Sequence, residues 1–336
     1  MIFCNRPFEQ MVIGADGTVL VCCFVPKPLG NIFQDDIEAV WNSEAAEEIR
    51  NSILDQSFKY CEKAYCHIAA KAGSLVQKGI SRVNQIDDSL KKIISSPQTK
   101  LITFNYDQSC NLYCASCRKR IYHTPKPRIK ELIKIQEAFL EKDFIKNVET
   151  FGIAGAGEPF LSKVYLDLMK RINQKDFPNL KLNILTNGLL LTPKMWKNFK
   201  NIHYAIHSIN LSIDAATGSL YEKIRRGGKF KKLLNNLEFL AKLRKENKIP
   251  SLSIRFVVHS ENFHDMIKFV KLGQKINCDI VFFQLIVKFG DFTDDEYKKL
   301  AVHHKSHPKH KEFLKIVRNP IFKEKIVDSQ NLKAFM

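Results

Sequence analysis

Residues 101–117, LITFNYDQSCNLYCASC, decide how this sequence is read. The opening LITFNY is a short apolar run rich in β-prone side chains, which predicts a strand. It runs directly into Cys110, Cys114 and Cys117, a CxxxCxxC spacing in the loop after the strand. Iron–sulfur clusters are held by thiolates, and a 4Fe–4S cube takes four ligands. Three closely spaced cysteines therefore leave one iron open to a small molecule, a layout suited to reaction rather than electron storage. A zinc knuckle is the competing use of such a loop, but zinc sites take four Cys/His ligands and no matching pair follows at the usual spacing.

Outward from this stretch the pattern alternates. Strands are predicted at 101–106, 148–154, 180–186, 206–213, 252–258 and 279–286, with amphipathic helices near 129–141, 162–174, 192–200, 217–247 and 261–275. Six βα units predict a mostly parallel α/β sheet, either doubly wound or a partial (β/α)6 TIM-like barrel. In such folds the chemistry sits at the carboxyl ends of the strands. Upstream, 1–72 read as a small Cys-rich α+β domain: Asp16-Gly17 is a hairpin turn between apolar runs, and Ile37, Val40, Trp41, Ala45 and Ile49 recur at helical spacing over 35–53. Residues 73–98 read as a helical or irregular linker, 99–290 as the core, and 291–336 as a basic extension without a recognisable strand.

The CxxxCxxC loop on this strand resembles the radical S-adenosylmethionine (SAM) superfamily, and later strand ends agree. Gly155-Ala-Gly157-Glu158-Pro159 ends the second strand, Thr186-Asn187-Gly188 the third and Leu211-Ser212-Ile213-Asp214-Ala215 the fourth, followed by Tyr221-Glu-Lys-Ile-Arg225-Arg226-Gly227-Gly228. The resemblance implies a barrel core in which Cys110, Cys114 and Cys117 hold a SAM-binding 4Fe–4S cluster. It further implies that Gly155, Gly157 and Glu158 line the methionine end, that Ser212 meets polar groups of the cofactor, and that Asn187 borders the same pocket. Ser116 stands where the family often has a bulky residue over the adenine, so only its backbone is expected there. The implied activity is reductive cleavage of SAM to a 5′-deoxyadenosyl radical that abstracts hydrogen from a substrate.

The N-terminal segment, with Cys4, Gly17, Cys22, Cys61 and Cys66 and the stretch through Trp41 and Arg50, resembles SPASM auxiliary iron–sulfur domains. One auxiliary 4Fe–4S cluster on Cys4, Cys22, Cys61 and Cys66 is expected, with Cys23 a neighbour able to replace Cys22; zinc on the same four residues is the alternative. Cys278 reads as a buried small hydrophobe, and His303, His304, His307 and His310 as a solvated surface. Arg255, on the fifth strand, is compatible with contacting either a substrate carboxylate or the cofactor.

Composition narrows the setting. The chain has 336 residues and a net charge of +18. Residues 1–72 hold six Lys/Arg against ten Asp/Glu, a net −4; the remainder holds 47 against 25, a net +22. The basic body is compatible with nucleic acid, but no aromatic-interleaved RNA-binding motif accompanies it, and a lysine-rich solvated face accounts for it equally well. No apolar run reaches the roughly 18–20 residues of a membrane span, and the first residues lack a signal-peptide layout, so a cytoplasmic protein is expected. Relatives with an auxiliary cluster direct attention to a peptide or protein substrate and to a one-electron reductant such as flavodoxin or ferredoxin. An RNA, sugar or lipid precursor is the second reading, and a non-catalytic electron carrier the third. An electron carrier has no use for the glycine-Glu-Pro segment or Ser212.

Overall fold

The computed structural model describes residues 2–63, 66, 68–69, 88–153, 155–288 and 291–336. The chain divides into two compact units, one of Met1–Asp107, Pro125–Ala156 and Lys175–Lys181, the other of Gln108–Thr124, Gly157–Gln174 and Leu182–Met336.

In the first unit, Gln10–Ile13 (β1), Thr18–Leu20 (β2), Gly30–Asn31 (β3), Leu101–Phe104 (β4) and Thr150–Ile153 (β5) lie in the order β5-β4-β1-β2-β3. β1, β2 and β3 are antiparallel, as the Asp16-Gly17 turn predicts, and Gly17 sits at φ +84. β4 is parallel to both its neighbours, pairing Leu101 with Thr150 on one side and with Gln10 on the other. The N-terminal hairpin is thus built onto the first core strand. Alternation buries Met11, Ile13, Ile102, Phe104, Phe151 and Ile153, and Phe104 meets Phe151 and Phe139 edge-on at 5.1 and 5.8 Å.

The helix expected over 35–53 is two helices, Ile37–Trp41 and Glu44–Leu54, because Ser43 breaks the first and caps the second by accepting from the Ala46 N–H. Arg50 is buried, donating to Pro7 O at 3.0 Å and Trp41 O at 2.9 Å while its guanidinium covers the Trp41 ring. Of the expected linker, 73–87 lies outside the described residues. Asp88–Ser95 is a helix whose Ile93 and Ile94 pack on Phe8, Ile53 and Phe58, so this part belongs to the core of the unit.

In the second unit, Lys181–Thr186 (β6), Ile206–Ser212 (β7), Ser251–Val258 (β8), Ile280–Leu285 (β9) and Val327–Asp328 (β10) run parallel in sequence order. One face is apolar and covered by helices: Leu211 approaches Gly188 beside Leu233, and Ile254 and Val281 close on Gly273 in the helix Met266–Lys275. The predicted helix over 217–247 is two, Gly218–Ile224 and Phe230–Lys245, split by Gly227 at φ +89. The tail departs from expectation. Val327–Asp328 is a strand too short to show a period, where none was expected, and Phe313, Val317, Phe322 and Leu332 of the basic extension are buried. No helix among the described residues is long and apolar enough to cross a membrane.

Candidate cofactor site

The cysteine loop is held by its backbone. Cys110 N–H donates to Tyr122 O at 2.8 Å, Tyr113 N–H to Arg226 O at 3.1 Å and Ala115 N–H to Ile224 O at 2.8 Å. Gly227, at φ +89, lies against this loop, where a Cβ would stand a tight 3.3 Å from Asn111 O. Leu112, at 1% exposed, plugs the loop into the unit.

Cys110, Cys114 and Cys117 are free thiols, Cys114 buried and the other two half-buried. Burial pushes the Cys114 thiol up to about 11 and raises Cys110 as well, and the neighbouring thiols add to both shifts. Two cations oppose this. Arg225 Nη1 lies 3.6 Å from Cys114 Sγ and its Nη2 pairs with buried Asp214 at 2.6 Å. Arg118 interacts with Cys117 and Cys110. Three soft donors on one loop, counterbalanced by two guanidiniums, fit a cluster held as thiolates. Among the described residues no three His, Cys, Asp or Glu side chains are drawn tightly enough together to close on a single metal ion.

Glu158 holds two loops together. Its N–H donates to Ser109 O at 2.8 Å. Its buried carboxylate accepts from Thr186 Oγ1 at 2.7 Å, Asn187 N at 2.7 Å and Phe160 N at 3.2 Å. Burial pushes its pKa up to about 7 despite those three donors. The expected cofactor-lining carboxylate therefore has its oxygens engaged by the protein. Asn187 reaches the cysteine loop, donating to Asn111 Oδ1 at 2.9 Å with Cys110 Sγ at 4.0 Å. Ser212 ends β7 opposite Arg255, and Ser116 and Gly157 are half-buried. Gly155 belongs to the first unit, where a Cβ would stand 2.7 Å from Asn105 Oδ1, a buried oxygen with no partner among the described residues. Sequence reasoning passed over Asp214, Arg225 and Arg118 as individuals; the signals available were an acid just past an apolar strand and arginines beside the last cysteine and before the Gly227-Gly228 pair.

In the first unit, Cys4, Cys61 and Cys66 pack on the cluster of Phe8, Ile53, Phe58 and Ala69. Glu62 N–H donates to Phe24 O at 2.8 Å, bringing Cys61 and Glu62 against the Cys22 turn. Burial pushes Cys61 up to about 12, helped by Cys22, Cys66 and Cys4. Burial works against the charge of Arg6, but Cys22 and Cys4 more than offset it, making Arg6 the counter-ion of this set. Cys22 is buried and Cys23 exposed. Cys278 is buried, as expected. His307 and His310 are spent on the Lys299 and Val302 carbonyls.

A parallel βα sheet with a three-cysteine loop following a strand is the arrangement the sequence led one to expect. The radical SAM superfamily profile matches residues 105–273, half of the sequence, and the chain belongs to that superfamily of enzymes. Residues 4–68 match SPASM, an iron–sulfur cluster-binding domain. Together these imply 4Fe–4S clusters and SAM as cofactors. The FeMo cofactor biosynthesis protein NifB of Methanocaldococcus infernus is 32% identical over 123 residues, 34% of this chain and 39% of that protein. The GTP 3',8-cyclase of Lactiplantibacillus plantarum is 30% identical over 139 residues, 40% of this chain and 39% of that protein. The structure of Streptococcus suis SuiB bound to S-adenosylmethionine has a TM-score of 0.43 at 15% identity, covering 78% of this chain and 57% of that one. The chain thus spans less than two thirds of the length of each of these three proteins.

Proposed function

We propose that the chain is a radical SAM enzyme of the cytoplasm that modifies a peptide or protein. Cys110, Cys114 and Cys117 hold the SAM-binding cluster, and Cys4, Cys22, Cys61 and Cys66 an auxiliary one. When bound, the first cluster and SAM supply a 5′-deoxyadenosyl radical for hydrogen abstraction, with the electron delivered by a flavodoxin or ferredoxin. The observation that carries this is the pinned cysteine loop, set between Arg225 on one side and Asn187 on the other. Glu158 fixes the loop bearing Asn187, and Gly157 and Ser212 leave small side chains where the cofactor is expected. Burial around Cys114 excludes water that would quench reactive chemistry.

A peptide substrate is supported by the SPASM segment and by the mouth beside the cysteine loop. That mouth is a cavity of about 250 Å³ lined by Cys117 and Arg226, by Phe292 and Leu300, and by Glu261 and Lys299, so it offers both apolar walls and charges of both signs.

The test is anaerobic incubation of reduced protein with SAM. 5′-Deoxyadenosine should form, and the cluster's electron paramagnetic resonance spectrum should change on adding SAM; neither response would refute the reading. Cell extract fractions should then stimulate 5′-deoxyadenosine formation. Loss of stimulation after protease treatment supports a peptide, whereas a protease-resistant stimulant reassigns the enzyme to an RNA, sugar or lipid precursor.

A further inference from the structure

The other face of the second unit's sheet is largely polar, and its polar groups fall into two sets. Towards the amino ends of the strands, Ser208 donates to Asn183 at 2.7 Å, Asn210 to Ser208 at 3.0 Å, and Ser253 to Asn210 at 2.6 Å. That set satisfies itself. Higher up, the register aligns Ser212, Arg255 and Phe282 across β7, β8 and β9. Gln284 stands two residues further along β9. The side chains of Ser212, Arg255 and Gln284 have no hydrogen-bond partner among the described residues, although all three are half-buried.

Arg255 is the one that matters energetically. Its guanidinium carbon lies over the Phe282 ring, 3.7 Å from the centroid, and its N–H donors have no hydrogen-bond partner among the described residues. Burial pulls its pKa down, and the two carboxylates that work against this are occupied elsewhere. Asp214 pairs with Arg225, and Asp328 accepts from Gln330 Nε2 at 2.6 Å. Neither comes within ion-pair distance of Arg255. A half-buried cation with no paired carboxylate carries a desolvation cost, which the Phe282 ring offsets only in part.

We infer that Arg255 is a substrate-binding residue that receives a carboxylate of the substrate, with Gln284 flanking it. The forked guanidinium suits bidentate carboxylate binding, and on a peptide the group would be an acidic side chain or the chain terminus. This rests on the peptide reading above. The cofactor's own carboxylate is the other source of the same chemistry. Its expected position is beside Asn187 at the end of β6, two strands and about 10 Å from β8, and Arg255 leans the other way, onto β9. Val257, two residues along the same face, packs against the cluster of Ile286, Tyr297 and Ala301, as do Phe292 and Leu300, which also line the cavity at Cys117. Arg255 lies about 7 Å back along the same strand from Val257.

The test uses the reconstituted holoprotein, glutarate as an acidic side-chain probe, and Arg255→Gln with Arg255→Lys beside it. Native protein should melt at progressively higher temperature as glutarate is added, reaching a plateau. Arg255→Gln should show no rise, should melt no lower than native without glutarate, and should bind SAM within threefold of native. Arg255→Lys, which keeps the charge and loses the fork, should fall between. An equal glutarate response in native and Arg255→Gln, or none in native, overturns the inference. So does a tenfold loss of SAM affinity in Arg255→Gln that is absent with decarboxylated SAM, which would assign the arginine to the cofactor. A substantially lower melting point of ligand-free Arg255→Gln would make the arginine structural and overturn it too. Failure of both proteins to form 5′-deoxyadenosine would instead strike the functional reading, while the glutarate response still decides whether Arg255 binds a carboxylate.

Discussion

Replacing Arg225 with Met removes a charge from the cysteine loop's support while keeping most of the side chain's length. In the native protein Asp214 is buried, its Oδ2 2.6 Å from Arg225 and its Oδ1 accepting from Val257 N–H at 2.8 Å. Arg225→Met leaves that carboxylate with the Val257 N–H alone. Breaking a buried pair in this way costs about 3–5 kcal/mol. Burial has already raised the Asp214 pKa, so protonation caps the cost and the lower end, about 3 kcal/mol, is expected. At about 1.4 kcal/mol per tenfold, exchange-competent opening becomes roughly 100-fold more frequent. Hydrogen exchange of peptides covering 214–228 and 251–258 reads this directly, and peptides in 110–117 should follow because Tyr113 and Ala115 donate to the same segment. Asp214→Asn in the Arg225→Met background removes the stranded charge and should recover about 2 kcal/mol. Exchange within threefold of native in Arg225→Met, or no recovery in the double variant, would refute the ion pair as the support of this loop.

Reconstituted protein should hold about eight iron and eight sulfide; Cys110, Cys114 and Cys117 changed together to Ala should halve this, as should Cys4, Cys22, Cys61 and Cys66, and unchanged iron in either variant sinks that ligand set. Gly17→Ala should cost about 2 kcal/mol or more, since φ +84 disfavours a Cβ and that atom would strike Asn31 and Phe33; loss of auxiliary iron alone is the readout. Glu158 has its folded pKa raised from 4.5 to about 7, so the native state holds the extra proton between those values and stability should fall as pH rises through them, by about 3 kcal/mol at most. Melting curves of native and Glu158→Gln from pH 4.5 to 7.5 check this: the native curve should fall relative to the variant, and parallel curves would contradict it.

The six core strands were legible because each is an apolar run ended by a glycine, asparagine or polar cluster, and the thiol loop because its spacing serves few purposes. What escaped the sequence was direction. Gly157-Glu158 reads as one motif, but only coordinates show that the carboxylate turns inward to Thr186 and Asn187. The glycines at 227 and 228 were visible in the sequence, but not that the first takes a left-handed φ and divides one helix into two. In the tail, Phe313, Val317 and Phe322 are apolar positions diluted by lysines, so composition outweighed periodicity. Asp214 and Arg225 are far enough apart in sequence that no local pattern announces their pairing.

The pairing of β1 with β4 has a consequence during synthesis. The N-terminal hairpin emerges from the ribosome some ninety residues before its parallel partner, and must wait for it with a strand edge unpaired. Non-local parallel pairing of this kind is slow and leaves the chain open to association with other chains. Cutting the protein between the SPASM segment and the core would make that interval permanent, stripping β4 of a neighbour and leaving its edge bare. The halves should therefore be sticky when expressed apart, and a donor of iron and sulfide acting on the nascent N-terminal cysteines would meet a segment whose sheet is not yet complete.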